Sequence, residues 1–468
     1  MMAEQAQNFD VVVIGGGPGG YVAALRAAQL KLRTALVERE SLGGICLNWG
    51  CIPTKALLHS ADTVRRIRHA GAQGITVSAP EVDFGKVVAR SRNVSQRLNR
   101  GVTHLLKKAG VTVFMGTAAL EPGKKVRVTG AKGEQHLLLA RHVIVAAGAR
   151  ARELPMLPFD GDRVWGYREA LSAKELPKSL VVIGAGAIGM EFASFYATLG
   201  TQVTVVEAAA RVLPAGDEDV SAFAQQAMAK EGIQFLTGTT LVAGELRADG
   251  VHLTVQRGGK AQQLEAERVL VAVGLVGNSE GLGLEHTRAV TEKGLIQVAD
   301  WGVSAEPGVY AIGDITGAPM LAHKASHEGI ACVEHIAGLR SGVQHHAPIP
   351  SCVYSHPQSA SVGLTEAQAR QSGFSVRVGK FPLEGNGKAI AIDEASGFIK
   401  TVFDEATGEL LGAHLVGPEA TELVHGYTLA ATLEATEAEL METVFPHPTL
   451  SEAMHEAVLA AYGRALHM

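Results

Sequence analysis

The stretch FDVVVIGGGPGGYVAALRAAQLKLRTALVERE, residues 9–40, decides the fold. Val11 to Ile14 form a β-branched run suited to a buried parallel strand. Gly15, Gly17 and Gly20 follow at G-x-G-x-x-G spacing, with Pro18 at a first helical position, where a missing N–H does no harm. An apolar helical pattern then runs to about Leu30, and a second strand ends at Glu38. Glycines at this spacing let backbone approach a pyrophosphate whose charge rests on the helix N-terminus. The carboxylate of Glu38 is placed to accept a ribose hydroxyl.

The unit recurs at SLVVIGAGAIGMEFASFYATLGTQVTVVEAAAR, residues 179–211. Gly184, Gly186 and Gly189 repeat the fingerprint, and Glu207 stands at the same offset from Gly184 as Glu38 does from Gly15. One G-x-G-x-x-G is weak, because an ordinary tight strand–helix turn can produce it. Two copies with strand, helix and acid in matching register predict an α/β chain that binds two dinucleotides.

The rest of the composition agrees with that class. A length of 468 residues suits about three domains of ~150 residues each. With 47% hydrophobic and 19% charged residues, large cores form and global disorder is excluded. The net charge of −5 and the lack of a dense Lys/Arg tract argue against nucleic-acid binding. The opening MMAEQAQNFD has no apolar signal region, and no apolar run reaches the ~18 residues of a membrane span. Four cysteines do not make a disulfide scaffold in a chain of this size, so a reducing, cytoplasmic location is expected.

Two of those cysteines, Cys46 and Cys51, lie in GGICLNWGCIPTK, residues 43–55. In an ideal helix their Cα atoms would be roughly 8–9 Å apart, whereas a disulfide needs less than about 7 Å. The pair can bridge only where the segment is distorted or enters a helix, and Gly50 beside Cys51 permits this. The alternative is two unconnected core thiols. The position directly after the first βαβ unit favours a redox pair beside a flavin.

GGICLNWGCIPTK resembles the G-G-T-C-L-N-x-G-C-I-P-[ST]-K signature of the class I pyridine nucleotide-disulfide oxidoreductases, the flavin-dependent disulfide reductases. VYAIGDITGAPMLAHKASHEG (309–329) resembles their second flavin motif. IPSCVYSHPQSASVGLTEAQA (349–369) and HPTLSEA (447–453) resemble the start and end of their dimerisation domain. The likeness covers nearly the whole chain. It is greatest to the members that reoxidise dihydrolipoyl groups of 2-oxo acid dehydrogenase complexes.

The resemblance implies FAD at the first fingerprint and NAD at the second. It assigns Asp314 to the ribityl chain and Lys55 to the flavin N5 region, with Glu191 as the acid that pairs with that lysine. Gly116, Gly148 and Ala322 fall where backbone contacts to FAD are expected, and Gly274 is carried over with the cofactor contacts. Cys46 becomes the interchange thiol that meets substrate and Cys51 the thiol against the flavin. His447 and Glu452 become the base and its orienting partner, reaching the cysteines from the other subunit of a homodimer. The implied substrate is the lipoyl domain of a complex acyltransferase, which a partner must supply. The implied architecture is two Rossmann-like domains plus a C-terminal α+β dimerisation domain. Its segments are FAD-binding at 1–148 and 275–345, NAD-binding at 149–274 and dimerisation at 346–468, after the break SGVQHHAPIP (341–350).

Several residues depart from the pattern: Ile45 stands for threonine, Trp49 for a small aliphatic, Leu275 and Gly277 for arginine and proline, and Phe445 for a histidine. The Trp49 indole is expected beside the cysteine pair. A glutathione reductase would be expected to carry basic residues after the second fingerprint, where Glu207 and AAAR stand. A mercuric reductase would be expected to end in a cysteine pair, and this sequence ends GRALHM. A redox-silent NAD-binding scaffold is disfavoured by the intact Cys46, Cys51, Lys55 and His447. Thr449 to Glu452 also reads as a capping box that opens a helix running to about Leu466. His356, Cys332 and Cys352 read as structural.

Overall fold

The computed structural model describes residues 6–345 and 347–467, which leaves His346 of the expected 341–350 break outside the described residues. The chain divides into two compact units. The first comprises Met1–Ala56, Gly85–Arg152 and Gly274–His345; the second comprises Leu57–Phe84, Glu153–Val273 and His346–Met468. Among the described residues no helix is long and apolar enough to cross a membrane.

In the first unit, the parallel strands run in the order Thr112–Met115, Thr34–Glu38, Gln7–Ile14, Gln135–Val145, Val309–Ala311. Val11, Val12 and Val13 are wholly buried at the centre. The first strand begins earlier than its apolar run because Gln7 and Asn8 pair with Leu138 and Leu139 through backbone alone. Gln135–Val145 serves two partners in turn. Its first half is antiparallel to Lys125–Thr129, and its last residues lie parallel to Val309–Ala311. That second pairing brings the late flavin motif back to the first fingerprint.

The fingerprint turn is set by contacts that only glycine allows. Gly15 has φ +106°, and a Cβ on Gly20 would lie 1.8 Å from the Gly15 carbonyl oxygen. The helix Pro18–Gln29 that follows packs on the helix Ala322–Ile336, where a Cβ on Gly329 would lie 2.6 Å from the Gly19 carbonyl oxygen.

The second unit repeats the turn. Its parallel sheet has the order Gln234–Leu236, Gln202–Val206, Ser179–Ile183, Arg268–Val271, Val164–Trp165. Gly184 has φ +103°, and a Cβ on Gly189 would lie 2.0 Å from its carbonyl oxygen. The helix Ala187–Leu199 is apolar on nearly every side, and Phe192, Phe195 and Tyr196 are buried. An antiparallel meander follows over Thr239–Arg247, Gly250–Arg257 and Lys260–Ala266. The C-terminal part is an antiparallel sheet in the order Ser351–Val353, Ser359–Gly363, Leu410–Val416, Phe398–Asp404, Val376–Pro382. Its core packs Phe381, Phe403 and Leu415 against Tyr427, Met454 and Val458 of the covering helices Ala420–Thr432 and Glu452–Ala461. The α/β class with a C-terminal α+β layer is therefore as the sequence implied. The last helix is shorter than expected, ending at Ala461 rather than near Leu466. Gly463 turns left-handed at φ +65°, and the Arg464 N–H folds back to the Leu459 carbonyl, which closes the helix.

A buried cation ties the two parts of this unit together. Lys400, on the strand Phe398–Asp404, places Nζ 3.1 Å from Asp217, 2.8 Å from Asp219 and 3.0 Å from Glu366. Asp217 caps the helix Glu218–Lys230, which belongs to the parallel-sheet part. Lys400→Met should lower stability by about 3–5 kcal/mol, because it leaves Asp217 buried without its counter-charge. Urea unfolding checks this. Lys400 also holds the Asp219 carboxyl below its ordinary value. Its contribution is therefore present above the ordinary aspartate pKa and is lost as pH falls through the lowered one, so the mutational difference should shrink in acid.

Candidate functional site

The two dinucleotide cradles share one device. Glu38 accepts the Gly16 N–H through Oε2 at 2.8 Å and the Glu40 N–H through Oε1 at 2.7 Å. Glu207 accepts the Ala185 N–H at 2.7 Å and the Ala209 N–H at 2.7 Å. Each acid braces the turn from below, a role that sequence spacing did not show, and keeps lone pairs for a further donor. The first and third glycines of each fingerprint are closed off by protein, but the middle ones are open. A Cβ on Gly17 meets nothing nearer than 3.9 Å, and one on Gly186 meets nothing within 4 Å. Open space over unpaired amides at a helix N-terminus fits a pyrophosphate. Beside Glu38, a cleft of about 580 Å³ lined by Glu40, Ser41, Asn99, Thr103 and Lys107 offers room for the remainder of a dinucleotide.

The other backbone positions fall at the ends of strands. The Gly116 N–H reaches the Glu38 carbonyl at 2.8 Å. Gly148 and Gly274 flank the antiparallel pair Ala149–Ala151 and Leu275–Gly277, where the chain leaves and re-enters the first unit. Gly277, in place of the family's proline, fits because a Cβ there would lie 2.2 Å from the Gly294 carbonyl oxygen.

The segment that carries Cys46 and Cys51 consists of the helices Gly44–Trp49 and Cys51–His69, broken at Gly50. Gly50 has φ −150° and ψ −114° and folds back until a Cβ on it would lie 3.2 Å from the Ile45 side chain and carbonyl. This fold-back removes the separation of an ideal helix. The Cys46 and Cys51 side chains are in hydrogen-bonding contact. Thr54 fixes the break, giving both its N–H and its hydroxyl to the Gly50 carbonyl. The segment rests on the first fingerprint, for a Cβ on Gly44 would lie 2.7 Å from the Gly17 Cα. Cys51 and then burial push the Cys46 thiol far above its ordinary pKa, while Lys55 pulls it down. Tyr21 and Asp314 lie within electrostatic reach of Cys46. The Trp49 indole donates to Glu40 at 2.9 Å and lies beneath the Arg92 guanidinium at 4.7 Å.

Asp314 follows Gly313, whose N–H donates to Glu328 at 2.7 Å. Glu328 in turn pairs with Lys324 at 2.8 Å. Burial raises the Asp314 carboxyl pKa, against the pull of Lys324 and with Glu328 adding to the rise. Ala322 opens the helix Ala322–Ile336. Glu328 escaped the sequence reading, although its i,i+4 spacing from Lys324 was a visible signal.

Glu191, Glu207, His447 and Glu452 belong to the second unit. Glu191 is buried and accepts the Tyr354 N–H at 3.0 Å. His447 is exposed, and its Nδ1 lies 2.9 Å from Glu452 Oε1. Glu452 Oε2 accepts the Thr449 N–H at 2.8 Å. Burial raises the Glu452 pKa, but the Thr449 N–H and His447 outweigh it and hold the carboxyl below its ordinary value. Only half of the expected capping box forms, because the Thr449 hydroxyl turns to the Pro446 carbonyl at 2.7 Å. His356 is pushed down to about 4 by burial, Arg65 and His69, so it is neutral near pH 7. Cys332 is fully buried, and Cys352 is half-buried against the Thr421 carbonyl.

Family models for the pyridine nucleotide-disulphide oxidoreductases and for their dimerisation domain match residues 9–329 and 349–458. The dihydrolipoyl dehydrogenase of Zymomonas mobilis is 52% identical, over 99% of this chain and 100% of its own. That of Rhizobium etli is 49% identical, over 98% of this chain and 99% of its own. Among solved structures, LpdA from Mycobacterium tuberculosis matches with a TM-score of 0.90 at 28% identity, covering 97% of this chain and 99% of that one. With both models matched in order over most of its length, this chain belongs to the pyridine nucleotide-disulphide oxidoreductase family.

Proposed function

We propose that the protein is a dihydrolipoyl dehydrogenase, oxidising protein-bound dihydrolipoyl groups and reducing NAD⁺ with FAD as its resident cofactor. The observation that carries this reading is the Cys46–Cys51 dithiol in contact, on a segment packed directly against the first fingerprint glycines. In this reading residues 1–148 and 275–345 bind FAD, 149–274 bind NAD, and 346–468 join two copies into a homodimer. The dithiol partner is the lipoyl domain of a 2-oxo acid dehydrogenase complex acyltransferase, in the cytoplasm.

His447 takes the proton from a dihydrolipoyl thiol through Nε2, with Nδ1–H directed to Glu452. The thiolate attacks Cys46 of the oxidised pair, forming a mixed disulfide and releasing Cys51 as a thiolate. The second lipoyl thiol then loses its proton as its sulfur displaces Cys46, so that of the two protons released by the substrate one ends on Cys46 and the other stays on His447. The lipoyl group has lost two electrons and closed its ring, and the cysteine pair has gained them. Bound FAD supplies the route by which that electron pair reaches NAD⁺ as hydride. Lys55 and Asp314 hold the electrostatic setting of Cys46. Glu452 stays ionised and keeps the His447 ring oriented.

Two outcomes follow from the residue assignments. Glu207 should repel a 2′-phosphate, so kcat/KM should strongly favour NADH over NADPH. Glu207→Gln keeps an acceptor for a backbone amide but removes the charge, and it should narrow that preference. Equal efficiency of the two nucleotides in the wild type would contradict the assignment. His447→Gln should slow dithiol oxidation by roughly 10²- to 10⁴-fold while leaving FAD content and flavin reduction by NADH intact. When His447→Gln and Cys46→Ser proteins exchange subunits, activity should return through the one intact site of each heterodimer. Confirmed exchange without activity would place the base within its own subunit or on another residue.

A further inference from the structure

Between the two cysteines stands Trp49, where relatives of this family carry a small aliphatic. Its indole is held from two sides, by Glu40 at Nε1 and by the Arg92 guanidinium over the ring. Arg92 does more than stack. Its Nη1 donates to the Asn48 carbonyl at 2.6 Å and its Nη2 to the Ser95 hydroxyl at 3.2 Å. One cation thus grips both residues that precede Gly50, the point where the chain folds back. The remaining side of the turn is also tied, since Asn48 Nδ2 donates to the Leu42 and Gly44 carbonyls at 3.0 and 2.9 Å.

Arg92 projects from the long helix Phe84–Lys108, which also sends Arg90 to the Ala56 carbonyl at 2.9 Å and Asn99 to the Leu42 carbonyl at 2.6 Å. A rigid helix outside the redox segment therefore holds it at Leu42, Asn48, Trp49 and Ala56. The arrangement is not a free gain in stability. Arg92 is half-buried, and its buried Nε has no hydrogen-bond partner, an unsatisfied donor of the kind that needs a reason.

We propose that the Arg92–Trp49 stack is a positioning clamp for the redox pair: it fixes the turn at Gly50 so that the Cys46 and Cys51 sulfurs stay in contact when reduced. Arg92 and Trp49 are positioning residues that act through the turn at Gly50. Two thiols held in contact close to a disulfide at a high effective concentration. Loosening the turn lets them separate, which favours the dithiol. The inference rests on Cys46 and Cys51 being the redox pair.

The test is the thiol–disulfide equilibrium of the purified protein in dithiothreitol buffers of graded oxidation. Cys46 and Cys51 lose two protons and two electrons to oxidised dithiothreitol, and one intramolecular S–S bond forms. Maleimide labelling of the peptide that carries both cysteines, read by mass, reports the dithiol fraction. Trp49→Val and Arg92→Met should each move the equilibrium towards the dithiol by roughly three- to tenfold, tenfold being about 30 mV for a two-electron couple. The double variant should move no further than the larger single shift, since both break one clamp. Arg92→Lys keeps the charge but not the fork or the stack, and it should behave as Arg92→Met does. Trp49→Phe keeps a ring beneath Arg92 and should stay within about twofold of the wild type, which also guards against a poorly folding Trp49→Val. Unshifted equilibria, additive shifts, or an Arg92→Lys protein that matches the wild type would overturn the clamp. A wild-type protein whose two cysteines never form an S–S bond would overturn the redox-pair reading as well.

Discussion

Where a side chain on Gly20 would stand, 1.8 Å away, lies the carbonyl oxygen of Gly15. That close approach joins the end of a central strand to the first turn of a helix, and the site is built outward from it. The turn aims its unpaired amides into open space over Gly17. Glu38 fastens it from below by way of the Gly16 N–H. The segment that carries the two cysteines then seats its first helical residue, Gly44, on Gly17. The thiols are therefore positioned by the same turn that shapes the phosphate cradle. A larger residue at either close contact would disturb nucleotide and sulfur sites together.

The second copy of this turn lies in the other unit, with Glu207, Ala185 and Ala209 in the places of Glu38, Gly16 and Glu40. Its surroundings differ in a way that suits a different task. The helix after Gly186 buries its own Phe192, Phe195 and Tyr196, and the parallel-sheet part is tied by Lys400 to the C-terminal sheet. Asp217 and Asp219, paired with the buried Lys400 ammonium, join the part that carries Glu207 to the part that carries His447 and Glu452. The groups proposed for nucleotide choice and proton transfer thus share one compact unit.

What the sequence showed and what it hid divide along chain distance. The fingerprints and their acids were legible because each is a local pattern whose spacing follows helix and strand geometry. The roles of the cysteine pair and of His447 with Glu452 were legible only through the resemblance of their short motifs to a known family. The functions of Arg92 and Lys400 were not, because Arg92 meets Asn48 from a separate helix and Lys400 meets Asp217 at a separation of 183 residues. No periodicity carries such information. Glu38 and Glu207 were read for the ribose alone, whereas each carboxylate also satisfies backbone amides that only the folded turn exposes. Trp49 was expected beside the cysteine pair, and its partners Glu40 and Arg92 come from outside that motif. Gly463 was a local stop signal overlooked behind the apolar pattern of the last helix.

The central claim is that electrons from a dithiol reach the flavin only through Cys46 and Cys51. The most direct measurement is an anaerobic titration of the FAD-loaded protein with dihydrolipoamide, without NAD⁺, followed in the visible absorbance of the flavin. The account predicts a spectral change complete near one equivalent in the wild type and absent on the same timescale in Cys46→Ser. A Cys46→Ser protein whose flavin responds to dihydrolipoamide as the wild type does would contradict it.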